Sequence, residues 1–133
     1  MLIDGFAYLS PREALPLLEA GAVLVDLRVG EERNGRSFGV GNVILTTLQA
    51  IQAGEASLPR DRLIIVADCV GLKSKKALPV LRGQGFESIA SLIGGMIDWE
   101  QDGMPTVIDR DEELSGSCAC KVRPGGKTRK AGC

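Results

Sequence analysis

Short apolar segments alternate with polar or amphipathic segments over roughly the first hundred residues of the chain. Three of them have the continuous apolar character of strands that are buried on both faces, as in a parallel sheet: residues 22–27 (AVLVDL), 63–67 (LIIVA) and 88–92 (SIASL). Residues 43–45 form a weaker candidate strand. Because the intervening segments have helical character, the pattern predicts an α/β domain with a mostly parallel sheet.

The first predicted helix has a clear start signal. Ser10-Pro11-Arg12-Glu13 is a capping box with proline at the first helical position, and Gly21 is suited to the left-handed conformation that ends a helix. We expect Pro16 in this helix, and Pro79 in a later one, to kink or shorten the regular part. Later helices are expected at residues 46–53, 74–82 and 96–101, and a polar, glycine-rich loop at residues 28–39.

The 133 residues are enough for one domain with a substantial core. We predict a domain at residues 1–109 and a flexible tail at residues 110–133, which holds five basic residues and no acid after position 114. The net charge of −1, and the lack of aromatic residues among the basic ones, argue against a nucleic-acid partner. No apolar run approaches the roughly 18 residues of a membrane span. We therefore expect a cytoplasmic monomer without a membrane partner.

The chain has no histidine, which removes Cys-His and Ser-His catalytic pairs and most zinc enzyme sites from consideration. Its four cysteines are unevenly placed, with Cys69 in the body and the others in the tail. This distribution is not that of a disulfide scaffold and favours thiol chemistry. The three tail cysteines are Cys118, Cys120 and Cys133.

Cys69 lies at the end of the strongest predicted strand and before a helix, at the edge of a parallel sheet where ligands bind. The amides of the helix N-terminus and the nearby Lys73, Lys75 and Lys76 favour the thiolate. Such surroundings can lower a cysteine pKa from ~8.5 to roughly 3.5–7.5. Asp68 opposes this effect unless its side chain points away. The alternative interpretation is an inert cysteine packed under the sheet.

Four stretches together resemble the single-domain rhodaneses, a family of sulfurtransferases. VLVDLRVGEE (residues 23–32) is similar to the family's "VIDVR-x-x-EE", and GVGNVIL (39–45) is similar to "GAINIPL". IIVADCVGLKSKKAL (64–78) resembles "VVYC-x-x-G-x-R-S-x-x-A". GFESIASLIGGMIDWEQDGMPT (85–106) resembles "GF-x-x-V-x-x-L-x-GG-x-x-x-W-x-x-x-G-x-P" and is the most specific. Its residues in register are Gly94, Gly95, Trp99, Gly103 and Pro105.

The resemblance implies a five-stranded, mostly parallel sheet flanked by helices, and a catalytic Cys69 that carries sulfur as a persulfide. The donor would be a small anion, thiosulfate or a polysulfide, and the acceptor a thiol, a protein or cyanide. Lys73 would bind the sulfonate end of thiosulfate, and neither a cofactor nor a metal is implied. The loop whose backbone amides would hold the sulfur consists of Val70, Gly71, Leu72, Lys73 and Ser74.

The chain departs from the family pattern at its loops. The segment between Cys69 and Gly71 is one residue short, Asp68 replaces an aromatic or small residue, and residues 36–39 replace "HIPG". These departures motivate the alternative of a binding or regulatory module that has the fold but little turnover. We interpret Asp26 and Arg28 mainly as a structural ion pair, with an accessory role of Arg28 in substrate binding as the alternative.

Two further interpretations involve other cysteine chemistry. The first is a phosphatase or arsenate reductase, because Cys69 and Lys75 have the spacing of a Cys-x5-Arg phosphate loop, but lysine lacks the bidentate grip of arginine on phosphate. Cys118 and Cys120 are candidates for accepting the persulfide or resolving it as a disulfide. They are also candidates for binding a soft metal, or are incidental residues of a disordered tail.

Overall fold

The computed structural model of the protein describes residues 2–3, 5–29, 33 and 35–108. The predicted domain end at residue 109 and the tail at 110–133 lie outside the described residues. The strands are β1 (Leu2–Ile3), β2 (Phe6–Leu9), β3 (Val23–Asp26), β4 (Arg36–Phe38), β5 (Val43–Leu45), β6 (Ile64–Ala67), β7 (Ile89–Leu92) and β8 (Thr106–Ile108). The helices are α1 (Pro11–Glu19), α2 (Leu48–Gln52), α3 (Leu72–Gly83) and α4 (Gly95–Gln101).

The main sheet has the order β1-β2-β7-β6-β3-β5. Five of its strands pair in parallel, which confirms the predicted five-stranded parallel sheet, and β1 adds a short antiparallel strand at one edge. The central strands β3, β6 and β7 are buried along their whole length, as their apolar sequences predicted. A separate antiparallel pair joins β4 to β8. The expectation that residues 28–39 form only a loop is therefore wrong for β4.

The helices begin and end close to the predicted positions. At the start of α1, the Ser10 hydroxyl accepts from the Glu13 amide (3.2 Å) and the Ser10 amide donates to the Glu13 carboxylate (2.9 Å). The hydrogen bond from the Ser10 backbone, and after it the one from the Ser10 side chain, lower the pKa of the Glu13 carboxyl. Pro16 and Pro79 do not shorten α1 and α3, because both lie on exposed faces where water can satisfy the freed carbonyls. Within the described ranges, no helix is long and apolar enough to cross a membrane.

The core lies on both faces of the sheet. Alternate residues of β3 point to opposite faces, so that Leu24 packs with α1 and α4 while Val25 packs with α2 and α3. The α4 side contains Trp99, which is fully buried, donates from its indole Nε1 to the Pro105 carbonyl (2.7 Å) and meets the Phe38 ring edge-on. The result is a three-layer arrangement whose carboxyl edge is left for loops.

A buried ion pair anchors the chain where β3 ends. The guanidinium of Arg28 contacts both carboxylate oxygens of Asp26, with Nη2 2.8 Å from Oδ2 and Nε 3.0 Å from Oδ1. Nη2 also donates to the Arg36 carbonyl (2.8 Å), which ties this loop to β4. The expected structural pair is therefore present. The Arg28 side chain is only 1% exposed, which leaves it little surface for direct contact with a substrate.

We expect Arg28→Met to lower the free energy of unfolding by about 3–5 kcal/mol, because it leaves the Asp26 carboxylate buried without its counter-charge. Urea unfolding measures the loss. The control Arg12→Met removes an exposed arginine 3.9 Å from Asp102 and should cost less than about 1 kcal/mol. Asp26→Asn/Arg28→Met should be less destabilised than the sum of its single variants. Equal losses in Arg12→Met and Arg28→Met would contradict the assignment.

Candidate active site

The candidate site lies at the carboxyl edge of the parallel sheet, where β6 gives way to α3. Asp68 follows β6 directly, Cys69 comes next, and Gly71 precedes the first helical residue. Cys69 is half-buried and is the one cysteine in the part of the chain that the structure describes. The predicted position of the thiol, between a buried strand and a helix N-terminus, is therefore confirmed.

The Asp68 carboxylate is buried and turned into the loop. One of its oxygens accepts from the Gly71 amide (2.7 Å) and the other from the Lys73 amide (2.9 Å), and the residue is 3% exposed. A buried carboxylate needs donors, and the N-terminal amides of α3 are close and carry partial positive charge. The Asp68 side chain therefore points into the loop and not into solvent. Two of the amides expected to hold sulfur, those of Gly71 and Lys73, bind this carboxylate.

Two buried hydroxyl groups, those of Ser74 and Ser91, lie next to the loop and are hydrogen-bonded to it or to each other. Gly71 has the left-handed conformation (φ 97°), and its carbonyl accepts from the Ser74 hydroxyl at 3.2 Å. The same hydroxyl lies 2.7 Å from the hydroxyl of Ser91 in β7. Ser74 thus contributes a buried structural hydroxyl in addition to its position in the predicted loop. Ser91 was not predicted, and its only sequence signal is a polar residue within an apolar strand.

The N-terminus of α4 holds the backbone of the loop. The Met96 amide donates to the Asp68 carbonyl (2.8 Å) and the Ile97 amide donates to the Cys69 carbonyl (3.2 Å). Gly95 makes this approach possible, because a Cβ there would lie 2.6 Å from the carbonyl oxygen of Cys69. The double glycine of the most specific sequence stretch therefore has a steric cause.

A cavity of about 240 Å³ opens beside the loop. Lys75 and Tyr8 both line it, whereas Cys69 and Lys73 are not among its lining residues. The expected role of Lys73 in binding a sulfonate stays a prediction. Three residues whose backbone lies in or against the loop, Val70, Leu72 and Ile97, have exposed apolar side chains. The remaining lining residues are Val70, Gly71, Ser91, Leu92, Ile93 and Gly94.

The described residues combine a half-buried thiol, a buried carboxylate bound by amides, and three lysines in the first turns of a helix. Among these residues, no group of three or more His, Cys, Asp or Glu side chains is placed to hold a metal ion. The arrangement suits nucleophilic chemistry of a thiolate with anionic or polarised sulfur. The tail candidates Cys118 and Cys120 lie outside the described residues.

Comparisons with known proteins agree with this chemistry. The chain is 32% identical over 100 residues to the thiosulfate sulfurtransferase GlpE of Haemophilus influenzae (strain PittEE), covering 75% of this chain and 93% of that protein. A rhodanese-related protein of Thermoplasma volcanium matches at a TM-score of 0.68 and 22% identity, over 78% of this chain and 100% of that one. A rhodanese homologue of Thermus thermophilus matches at a TM-score of 0.57 and 33% identity, over 68% and 98%. No protein-family model matches.

We expect Gly95→Ala to displace the loop, because the added Cβ meets the backbone of Asp68 and Cys69. The free energy of unfolding should fall by about 1–3 kcal/mol more than in Gly103→Ala. Gly103 is a matched control, since it also has a positive φ (+73°, against +60° for Gly95) but no atom within 4 Å of its added Cβ.

The displacement should also change the rate at which Cys69 reacts with an aromatic disulfide reagent. This rate is measured after the three tail cysteines have been replaced by serine, so that only one thiol is counted. Equal unfolding energies and equal thiol reactivity in the two glycine variants would show that α4 does not hold the loop.

Proposed function

Because the chain belongs to the single-domain rhodanese-like sulfurtransferases, we propose that it carries sulfane sulfur as a persulfide on Cys69. The donor is a small sulfur-containing anion, thiosulfate or a polysulfide, and the acceptor is a thiol or, in an assay, cyanide. The observation that carries the proposal is the position of Cys69, half-buried at the carboxyl end of β6 and beside the N-terminus of α3. The neighbouring lysines of α3 favour an anionic sulfur there.

The proposed cycle has two displacements. The Cys69 thiolate attacks the outer sulfur of the donor, a new sulfur–sulfur bond forms, and the donor's own sulfur–sulfur bond breaks. The donor remnant leaves with the electron pair as sulfite or as a shortened polysulfide. An acceptor nucleophile then attacks the outer sulfur of the persulfide and regenerates the thiolate. Sulfur moves as a neutral atom, so no external oxidant or reductant enters the cycle.

The surroundings of Cys69 support a sulfur carrier over a phosphatase. The main chain of the loop is fixed on two sides, by the Asp68 carboxylate and by the amides of Met96 and Ile97. The exposed apolar side chains in and next to the loop suit the low polarity of sulfane sulfur better than a hydrated phosphate ester. A cation on the cavity wall, Lys75, can attract the charged end of a donor.

We expect the reduced full-length chain to gain the mass of one sulfur atom on Cys69 after incubation with polysulfide and desalting. Cyanide should remove the added sulfur, and intact mass with peptide mapping checks both steps. Cys69→Ser should lose this adduct, whereas Cys133→Ser, a matched change of one thiol, should keep it. Adducts that map only to residues other than Cys69, or no adduct in folded protein with any donor, contradict the proposed carrier.

We also propose that Cys118 and Cys120 accept sulfur from Cys69. Time-resolved peptide mapping after brief loading should show sulfur first on Cys69 and later on these two residues. Cys69→Ser should abolish the later signal at the same donor concentration. A chain that ends at Glu113 should keep its persulfide on Cys69 for longer than the full-length chain. Tail loading that is unaffected by Cys69→Ser would instead indicate direct reaction with the donor.

One observation favours a second candidate function. The Asp68 carboxylate binds the Gly71 and Lys73 amides, which leaves those donors unavailable to an anionic sulfur. A binding or regulatory module that retains the fold with little turnover fits this arrangement. Such a module would show no stable persulfide with polysulfide while remaining folded, so the mass measurement on Cys69 distinguishes the two candidates.

A further inference from the structure

We propose that Asp68 determines the class of sulfur donor, because its carboxylate occupies the amides that would otherwise receive a dianionic donor or its leaving group. The protein then discriminates against thiosulfate and accepts sulfur from organic persulfides, whose reacting end carries at most one charge. This inference rests on the proposed persulfide chemistry of Cys69 and names the donor class for that site.

The Asp68 carboxylate occupies two of the five loop amides, those of Gly71 and Lys73. Its two oxygens accept from two different amides at 2.7 and 2.9 Å, distances typical of charge-assisted hydrogen bonds. The side chain is covered, with the residue 3% exposed, and its own carbonyl is bound by the Met96 amide. An incoming anion would have to displace a carboxylate that is held at both oxygens and at its backbone.

The spacing of the loop agrees with the observed position of the Asp68 side chain at the amides. When Cys69 is aligned with the cysteine of "C-x-x-G-x-R-S", the loop is one residue short. When Asp68 takes that position, Gly71, Lys73 and Ser74 fall on the remaining pattern residues without a gap. Asp68, whose side chain binds the loop amides, therefore stands at the first position of the pattern "C-x-x-G-x-R-S" when this pattern is matched without a gap. Cys69 lies one residue further along, where its thiol is half-buried.

The two donor classes differ in the charge that the site has to receive. Thiosulfate brings two negative charges to a site that already holds the Asp68 carboxylate and the Cys69 thiolate, and it releases sulfite, another dianion. An organic persulfide releases a thiolate with one charge. Stabilising a leaving anion is the task of preorganised donors, and Asp68 has bound two of them. The exposed apolar side chains of Val70, Leu72 and Ile97 also suit an organic donor.

The first experiment compares donors. Second-order rate constants for sulfur loading of Cys69 are measured by quenched-flow mass analysis with thiosulfate and with cysteine persulfide, in chains whose tail cysteines are serine. Asp68→Asn keeps the shape of the side chain and removes its charge. The control Asp61→Asn removes an exposed acid just before β6, at the opposite end of that strand from the site.

We expect Asp68→Asn to raise the thiosulfate rate constant about tenfold or more and to change the persulfide rate constant less than about threefold, as removal of one nearby charge predicts. Asp61→Asn should change neither. A ratio of the two rate constants that stays the same in Asp68→Asn overturns the inference. A parallel fall of both rate constants would show that Asp68 only maintains the loop, and it also overturns the inference.

The second experiment measures binding without chemistry and stands apart from the proposed function. Thiosulfate is titrated into Cys69→Ser and into Asp68→Ala/Cys69→Ser, and the backbone amide resonances of Gly71 and Lys73 are followed. We expect saturable shifts in the double variant and none in Cys69→Ser. Equal responses of the two folded chains overturn the inference about Asp68. Absence of a Cys69 persulfide with every donor overturns the proposed function alone.

Discussion

A carboxylate that leaves water has to find hydrogen-bond donors, and the shape of the loop after β6 follows from how Asp68 finds them. Its oxygens bind the amides of Gly71 and Lys73, so the chain must turn back over the aspartate within three residues and enter α3 at once. Cys69 lies within this turn, so the turn determines the position of its backbone. The position of the thiol therefore depends on the neighbouring acid as much as on the cysteine itself.

Two buried acids lie at the ends of adjacent strands, and the protein compensates them in different ways. Asp26 ends β3 opposite Ala67, the last residue of β6, and Asp68 is the residue that follows β6. Asp26 has a full counter-charge in Arg28, whereas Asp68 relies on the partial charges of amides. The Asp26–Arg28 pair anchors the start of the segment that leads to β4. The Asp68 hydrogen bonds shape the loop of the candidate site.

Apolar patterning was sufficient for the buried strands, because residues 22–27, 63–67 and 88–92 have no polar face to confuse the assignment. Strands β1, β2, β4 and β8 were not predicted, because they are short and lie at or near sheet edges where little burial shapes the sequence. The direction of the Asp68 side chain could not be predicted either. A residue at the end of a strand can turn toward solvent or into the loop, and the choice depends on amides that only the folded chain brings close.

The contacts between the loop and α4 give the protein an intrinsic optical probe. The chain has a single tryptophan, and Trp99 is fully buried in the helix whose first amides bind the carbonyls of Asp68 and Cys69. Its indole also donates to the Pro105 carbonyl, so the ring is sensitive to the packing of α4 against the strands around it. A change in the charge or bulk on Cys69 that shifts α4 will therefore alter the emission of this one fluorophore. Fluorescence therefore reports on the packing of α4, the helix that holds the loop, in native protein without an attached label.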